Sequence, residues 1–272
     1  MEKKDKILLF IPMYNCEKQI VRVLEQLKGE VAPFIAETVI INNRSTDNGE
    51  NAVIEKLKSL ELPFAANVLR NNENYGLGGS HKVAFAYAIK NCFDYIIVLH
   101  GDDQGDIANI LPYMKSGEYR DFDCFLGARF MKGSKLQGYS KFRTIGNCVY
   151  DELFSLGTGK AIYDLGSGLN MYRVEALKSH FWEKYKDDLM FNYCMVLGGA
   201  YYKLKTQFFP IVWREDDQVS NVKMVNQAIT VLQMLFSYVK NKKRFIEAEH
   251  RDKIILEYSA QTVFQSLPKD VL

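Results

Sequence analysis

The chain has 272 residues, of which 47% are hydrophobic and 25% are charged, and its formal net charge is +2. This balance excludes a disordered chain and gives no reason to expect a nucleic-acid partner. Five scattered cysteines without a Cys-x-x-Cys pair favour reduced thiols over a disulfide framework or a zinc site. No stretch approaches the roughly 20 apolar residues of a spanning helix. We therefore expect a cytoplasmic protein, either soluble or peripheral to the inner face of a membrane.

The first hundred residues alternate predicted strands with predicted helices. Apolar, β-branched runs predict strands at 6–11, 37–41, 64–69 and 95–99. Helical spacing of apolar residues predicts helices at 17–27, 48–60, 80–91 and 107–114. Strands that alternate with helices predict a mainly parallel sheet with right-handed crossovers, flanked by helices.

The second half is less regular. We predict a strand at 122–126, a mobile Gly- and Lys-rich segment at 132–141, a helix at 142–156, and a turn entering a short strand at 163–172. Further predictions are helices at 174–182 and 189–197, a hairpin or edge strands at 201–213, and an amphipathic helix at 222–239. The tail from residue 240 stays unassigned. The predicted organisation is one domain over 1–220 and a C-terminal helical extension over 221–272.

The stretch 95–106 is where we expect the chemistry. A buried strand at 95–99 is followed by His100, Asp102, Asp103, Gln104 and Asp106 around two glycines. Ligands of open α/β sheets bind beyond the carboxyl ends of the strands, and hard cations take oxygen ligands from carboxylates and phosphates. The stretch alone therefore fits either a metal–diphosphate site or an acidic turn that caps the next helix.

Several turns together resemble the family 2 glycosyltransferases, which have a Rossmann-like GT-A fold. Residues 11–15 (IPMYN), 40–47 (IINNRSTD), 74–79 (NYGLGG) and 99–106 (LHGDDQGD) are similar to four family motifs. Later segments resemble the branch of dolichyl-phosphate mannose synthase and the polyprenyl-phosphate glycosyltransferases. They are 127–130 (GARF), 143–147 (RTIGN), 164–172 (DLGSGLNMY) and 209–214 (FPIVWR) with Ser220. The motifs keep the family's order over about residues 6–235.

The resemblance implies transfer of a sugar, with inversion, from a nucleotide-diphosphate donor to a polyprenyl phosphate or a growing surface glycan of the cell envelope. It also implies a Mn²⁺ or Mg²⁺ cofactor, with Asp102 as the main ligand and Gln104 and His100 as weaker ligands. The residues placed at the nucleotide are Pro12, Tyr14, Asn15, Asn42, Asn74, Gly76, Gly78, Gly101 and Asp102.

The same resemblance implies contacts to the diphosphate or the acceptor from Arg129, Asp164 and Ser167, and catalytic roles for Asp102, Arg143, Arg214 and Asp188. Guanidinium groups bind phosphates in a bidentate manner, although any one of these arginines is equally compatible with a solvated surface position. Asp188 lies roughly where saccharide-acceptor relatives carry a catalytic base, and it is also compatible with a helix N-terminal turn. A lipid-phosphate acceptor would need no strong base because it is already ionised.

Two positions depart from the family pattern. Asn42 stands where the family has a base-contacting acid, and His100 stands where it has the first aspartate of the DXD motif. Imidazole at position 100 favours Mn²⁺ somewhat over Mg²⁺. These departures keep a non-catalytic nucleotide-sugar binding module open as an alternative, beside a sugar nucleotidyltransferase. The apolar helix near 229–239, followed by Lys240, Lys242 and Lys243, fits either packing on the domain or contact with a membrane surface.

Overall fold

The computed structural model describes residues 4–215 and 224–268. The strands are β1 (Ile7–Met13), β2 (Ile35–Asn42), β3 (Ala65–Asn71), β4 (Tyr95–Leu99), β5 (Cys124–Ala128), β6 (Lys135–Gln137), β7 (Leu169–Arg173), β8 (Thr206–Pro210), β9 (Val212–Arg214) and β10 (Ala260–Ser266). The α-helices are α1 (Glu17–Glu25), α2 (Gly49–Ser59), α3 (Gly76–Lys90), α4 (Leu111–Ser116), α5 (Lys141–Thr158), α6 (Val174–Leu177), α7 (Phe191–Tyr201), α8 (Met224–Lys240) and α9 (Lys242–Glu247).

Eight strands form one mixed sheet in the order β10-β3-β2-β1-β4-β7-β5-β8. Neighbours β3, β2, β1 and β4 are parallel, as are β5 and β8, whereas β7 and β10 run antiparallel to their neighbours. The central strands bury both faces, so they are continuous apolar runs rather than alternating ones. This confirms the predicted α/β fold with a mainly parallel sheet flanked by helices.

The core lies in two layers, one on each face of the sheet. Along β1, Leu8 and Phe10 enter the layer shared with α3, α7 and α8, and Leu9 and Ile11 enter the layer shared with α1 and α2. This alternation follows from the two-residue period of a strand. Because both layers are closed by helices, ligands have access at the ends of the strands.

Several predicted boundaries differ from the structure. Residues 132–141 are not wholly irregular, because β6 pairs in parallel with β9 as a separate two-stranded sheet. Within 201–213 the edge-strand alternative is confirmed and the hairpin is wrong, since β8 adds to the sheet edge beside β5 and β9 joins β6. The helix predicted at 174–182 is only the short α6, and α3 begins at Gly76 instead of residue 80. For β6, β8 and β9, pairing with a strand distant in sequence decides the local structure.

The C-terminal part is more than a helical extension. Helix α8 packs through Val231, Met234, Leu235 and Tyr238, all buried, and β10 then pairs antiparallel with β3 at the sheet edge. The predicted boundary at 220/221, the predicted helix start at 222 and Ser220 lie outside the described residues. None of the described helices is long and apolar enough to span a bilayer.

Candidate functional site

The turn after β4 is held against the end of β1. The backbone N–H of Gly101 donates to the carbonyl of Pro12 at 3.1 Å, and a Cβ at Gly101 would lie 2.8 Å from that oxygen. Glycine is therefore required for this close approach. The contact places Asp102 beside the first turn of the chain. Burial raises the pKa of Asp102 to about 6, against the opposite effect of the hydrogen bond from the Gln104 N–H.

The neighbouring Asp103 is already occupied. It adopts a positive φ of 60° and is 7% exposed. Its carboxylate accepts hydrogen bonds from Arg22 at 2.6 Å, Gln26 at 3.1 Å and Arg214 at 3.0 Å. Arg214, predicted to contact phosphate, thus neutralises Asp103 and fixes the turn from the side of β9.

Asp106 has a third role in the same turn. Its carboxylate accepts from the N–H of Ala108 at 2.9 Å and caps the short 3-10 helix Ile107–Asn109. Asp106 is therefore a cap and Asp103 is an ion-pair partner. Cation binding by Asp102 stays a prediction.

His100 at the start of the same turn is half-buried, and its Nε2 atom is fully buried. Its backbone N–H donates to the carbonyl of Gly168 at 2.9 Å, and its Nε2 has no hydrogen-bond partner among the residues described. Burial, assisted by Arg129, lowers the pKa of His100 to about 4, so the imidazole is neutral at pH 7. A neutral imidazole with an unsatisfied nitrogen suits a soft metal ligand or a hydrogen bond to substrate.

A cation at this turn would take few ligands from the protein. Within residues 4–215 and 224–268, no three His, Cys, Asp or Glu side chains converge as a metal centre. Mg²⁺-type sites commonly use one or two carboxylates, with phosphates and water completing the shell. Asp102, with Gln104 and His100 nearby in the turn, fits that arrangement.

The turns after β1 and β2 are tied together. Asn15, at φ 49°, accepts from the Thr46 N–H at 2.8 Å and donates its own N–H to Ser45 Oγ at 3.1 Å. Asn42 is 3% exposed, accepts from the Ser45 N–H at 2.8 Å and donates to Glu50 at 2.7 Å. These two hydrogen bonds of the buried Asn42 side chain fix the conformation of the turn after β2.

The turn after β2 borders an open cleft of about 590 Å³. Its walls are Asn42, residues 44–48, Glu50, Asn51 and Arg70. Arg70 donates to Glu50 at 2.7 Å, and this contact lowers the pKa of Glu50. Tyr14 is 50% exposed, so its ring is free to stack on a planar ligand group.

The glycine-rich turn serves packing first. The N–H groups of Gly78 and Gly79 donate to the carbonyl of Asp187 at 2.7 and 3.2 Å. A Cβ at Gly76 would lie 2.3 Å from that same oxygen, and Gly76 has φ 74°. The amides of Gly78 and Gly79 therefore already have an acceptor. Asn74 accepts from the Gly76 N–H at 3.0 Å and holds the turn; nucleotide contact by these residues stays a prediction.

Arg129 and Asp164 form a buried bidentate pair. Arg129 Nε and Nη2 donate to the two carboxylate oxygens at 2.7 and 2.8 Å, and the Arg129 N–H adds a bond of 2.9 Å. The guanidinium lies 5.0 Å from the rings of both Phe130 and Trp213. This pair joins the loop before β7 to the end of β5, so its first role is to build the site wall.

Two more predicted residues have partners within the chain. Arg143 on α5 donates to both carboxylate oxygens of Glu215 at 2.7 and 2.8 Å and lies over the Tyr139 ring. Its side chain is 29% exposed and remains accessible from the site. Ser167 is 1% exposed and its hydroxyl donates to the Leu169 carbonyl at 3.2 Å, so it shapes the loop from inside.

Asp151 is a site residue that the sequence interpretation missed. It lies on α5, is 6% exposed, and its Oδ2 has no partner in the described part of the chain. Burial, together with nearby Asp164, raises the pKa of Asp151 to about 8. Trp213 Nε1, on the ring stacked against Arg129, is also buried without a partner there. In the sequence, Asp151 is distinguished only as an acid within the helix predicted at 142–156.

The predicted base Asp188 lies exposed at the start of α7, where its carboxylate accepts from the Met190 N–H at 2.8 Å. Its neighbour Asp187 instead accepts from the buried Lys82 at 2.7 Å and from Tyr258 at 2.7 Å. Asp188 therefore forms a local turn before α7 and lies neither at its N-cap nor in its first helical turn. A catalytic role for it stays a prediction.

Comparisons with known proteins agree with this architecture. The chain is 25% identical over 208 residues to an uncharacterised protein of Methanocaldococcus jannaschii, MJ1222, covering 76% of this chain and 81% of the relative. Among solved structures, glucosyl-3-phosphoglycerate synthase from Mycobacterium tuberculosis, with Mn²⁺, UDP-glucose and phosphoglyceric acid, matches with a TM-score of 0.61 at 14% identity. That match covers 87% of this chain and 80% of the synthase.

S. aureus TarS 1–349 matches with a TM-score of 0.56 at 15% identity, covering 87% of this chain and 66% of that one. At these identities the structural matches show the fold. The family model for glycosyl transferase family 2 matches residues 9–181, more than half of the chain. The chain therefore belongs to glycosyl transferase family 2, and it is a glycosyltransferase with a GT-A-like α/β fold.

Proposed function

We propose that this glycosyltransferase uses Mn²⁺ or Mg²⁺ at Asp102 to transfer a sugar, with inversion, from a nucleotide diphosphate to an acceptor bound beside Arg129 and Arg143. The observation that carries the proposal is the position of Asp102. The contact of Gly101 with Pro12 holds Asp102 beside the turn after β1, and its carboxylate interacts electrostatically with Arg129. In the same turn, Asp103 pairs with Arg22 and Asp106 accepts from the Ala108 N–H. The family assignment favours this function over a binding module or a nucleotidyltransferase.

We place the donor in the cleft at the end of β2, where the base would lie over the Asn42–Ser45 turn. Pro12, Tyr14, Asn15 and Gly101 would line the path from this cleft towards Asp102. The diphosphate would then reach Asp102, where a cation held by Asp102, Gln104 and His100 supplies positive charge to the leaving group. The solved synthase with Mn²⁺ and UDP-glucose supports this chemistry for the shared fold.

The acceptor proposed here is a polyprenyl phosphate or a growing surface glycan, as in the branch of dolichyl-phosphate mannose synthase. Unpartnered Asp151 Oδ2 and Trp213 Nε1 near the Arg129–Asp164 pair can satisfy hydroxyl or phosphate oxygens. Asp151 is protonated at pH 7, so it would donate a hydrogen bond and would not abstract a proton. This favours an acceptor whose attacking oxygen is already ionised, as in a polyprenyl phosphate.

A thermal-shift screen against UDP, GDP, CDP and dTDP, with and without Mn²⁺, tests the donor proposal. One nucleotide should raise the melting temperature in a Mn²⁺-dependent manner, because a ligand that binds the folded state stabilises it by mass action. Asp102→Asn should lose the Mn²⁺-dependent increment. Asp106→Asn is the matched control from the same turn and should keep it. Equal increments in both variants would contradict the assignment of the cation to Asp102.

A further inference from the structure

Helices α5 and α8 carry large apolar side chains on their solvent sides. On α5 these are Phe142, Ile145, Val149 and Leu156, which are 77%, 66%, 53% and 72% exposed. On α8 they are Ile229, Leu232, Phe236 and Val239, which are 50%, 43%, 69% and 52% exposed. We call these eight side chains the α5–α8 apolar surface. Their spacing of three, four and seven residues places them in one stripe along each helix.

The two stripes belong to one surface because the helices pack tightly. A Cβ at Gly157 of α5 would lie 2.8 Å from Leu235 and 3.1 Å from Val239 of α8. The opposite side of α8 already fills the core through buried Leu235 and Tyr238. The exposed stripe is therefore additional to the packing face. Clustered apolar side chains of this extent mark an interaction surface.

The charge at the ends of this surface indicates what covers it. Exposed Lys141 precedes Phe142, and exposed Lys240, Lys242 and Lys243 follow Val239. The sequences of the two helices contain two acids, of which Asp151 is buried and Glu152 is exposed between Val149 and Leu156. The lysines therefore outnumber the single exposed acid of these helices. An apolar face with a basic rim is typical of segments that lie on anionic lipid, where the lysines bind headgroups.

We propose that the α5–α8 apolar surface docks on an anionic lipid bilayer. A second copy of the chain fits less well, because it would present the same positive charge to these lysines. Docking on this side is compatible with access to the site, since α5 carries Arg143 and Asp151 on its other flank. The proposal goes beyond the transfer reaction and requires neither donor nor metal, so the two can fail independently.

Vesicle sedimentation tests the proposal with the full chain. Wild-type protein should co-sediment with vesicles of phosphatidylcholine and phosphatidylglycerol, and at least tenfold less with pure phosphatidylcholine or in high salt. Phe142→Ser/Ile145→Ser and Leu232→Ser/Phe236→Ser should each lower binding at least tenfold. Ile254→Ser/Leu256→Ser removes two exposed apolar side chains outside this surface, 64% and 99% exposed, and should bind like wild type.

Circular dichroism melts of the same variants establish that they are folded. The proposal is overturned if wild type does not bind anionic vesicles, or if the four substitutions leave binding unchanged. It is also overturned in favour of a second copy if light scattering shows a dimer that dissociates in these variants while vesicle binding persists. Mn²⁺-dependent nucleotide binding by the variants, measured without vesicles, should remain at the wild-type level.

Discussion

Asp151 is a carboxylic acid buried beside a second carboxylate. In an unfolded chain the pKa of an aspartate is about 3.9. In the folded protein burial and Asp164 raise the pKa of Asp151 to about 8. The folded state thus holds this proton more tightly than the unfolded state. The contribution of Asp151 to stability is complete below about pH 4 and is lost as the pH rises towards 8.

We predict that Asp151→Asn removes this pH dependence, because an amide stays neutral throughout. At pH 8 the variant should be more stable than wild type by about 2 kcal/mol or more, and near pH 4 the difference should be small. Urea unfolding at several pH values measures it. Glu152→Gln, an exposed neighbour, should show no such trend. If the difference in unfolding free energy between wild type and Asp151→Asn is constant with pH, the titration assigned to Asp151 is contradicted.

Gly78 is required by packing between α3 and residues 186–191. A Cβ there would lie 2.5 Å from the Lys186 carbonyl and 2.7 Å from Phe191 Cβ, whereas Gly146 in α5 has nothing within 4 Å. We predict that Gly78→Ala destabilises the fold by about 2–3 kcal/mol, as overpacking does. Gly146→Ala should stabilise it by about 0.5–1 kcal/mol through helix propensity. Chemical denaturation compares the two, and equal effects would refute the packing account.

The arginines show how far sequence reasoning reaches at single residues. Arg129, Arg143 and Arg214 were expected at phosphates, and all three lie around the site. Each nevertheless has a carboxylate partner that lies 35, 72 and 111 positions away in sequence. Motif position indicates that such a residue belongs to the site, but a partner this distant becomes visible only in the folded chain.

At the scale of elements, one buried amine joins three segments. Lys82 of α3 is 1% exposed and donates to the Tyr185 carbonyl at 2.6 Å and to Asp187 at 2.7 Å. Tyr258, just before β10, donates to the same carboxylate at 2.7 Å. The network therefore fixes the C-terminal segment against the turn before α7.

We predict that Lys82→Met destabilises the protein by about 3 kcal/mol, because removing one member of a buried pair leaves the other uncompensated. Lys82→Met/Asp187→Leu should recover a substantial part of that loss. Tyr258→Phe alone should cost about 1 kcal/mol, the usual value of a hydrogen bond. Urea unfolding of the double-mutant cycle measures the coupling. If the destabilisations by Lys82→Met and Asp187→Leu alone add up to that of the double variant, Lys82 and Asp187 are not coupled.

Elements with a strong local pattern were predicted closely. Strands β1, β2 and β4 and helices α1, α2 and α5 lie within a few residues of their predicted positions. Strands β6, β9 and β10 have no comparable signal, because each depends on pairing with a distant strand. The resemblance places the glycine-rich turn at the nucleotide, and nothing in its sequence shows that the carbonyl of residue 187 accepts from two of its amides.

At the scale of the whole molecule, β1, β2, β4 and β5 run in the same direction, so their carboxyl ends lie on the same side of the sheet. Open α/β sheets bind ligands beyond these ends, and the predicted nucleotide, metal and acceptor residues converge there. Helix α5 adds a second function by facing the site on one side and the proposed bilayer on the other. The sheet order thus explains why short, separated motifs form one site.

The most direct test measures release of the nucleoside diphosphate from the sugar nucleotide identified by the screen, with and without Mn²⁺. Asp102→Ala should lower the Mn²⁺-dependent rate at least a hundredfold, since it removes the carboxylate that holds the cation at the leaving group. Asp106→Ala, from the same turn, should retain a rate close to wild type. Mn²⁺-dependent release that is unchanged in Asp102→Ala would contradict the account.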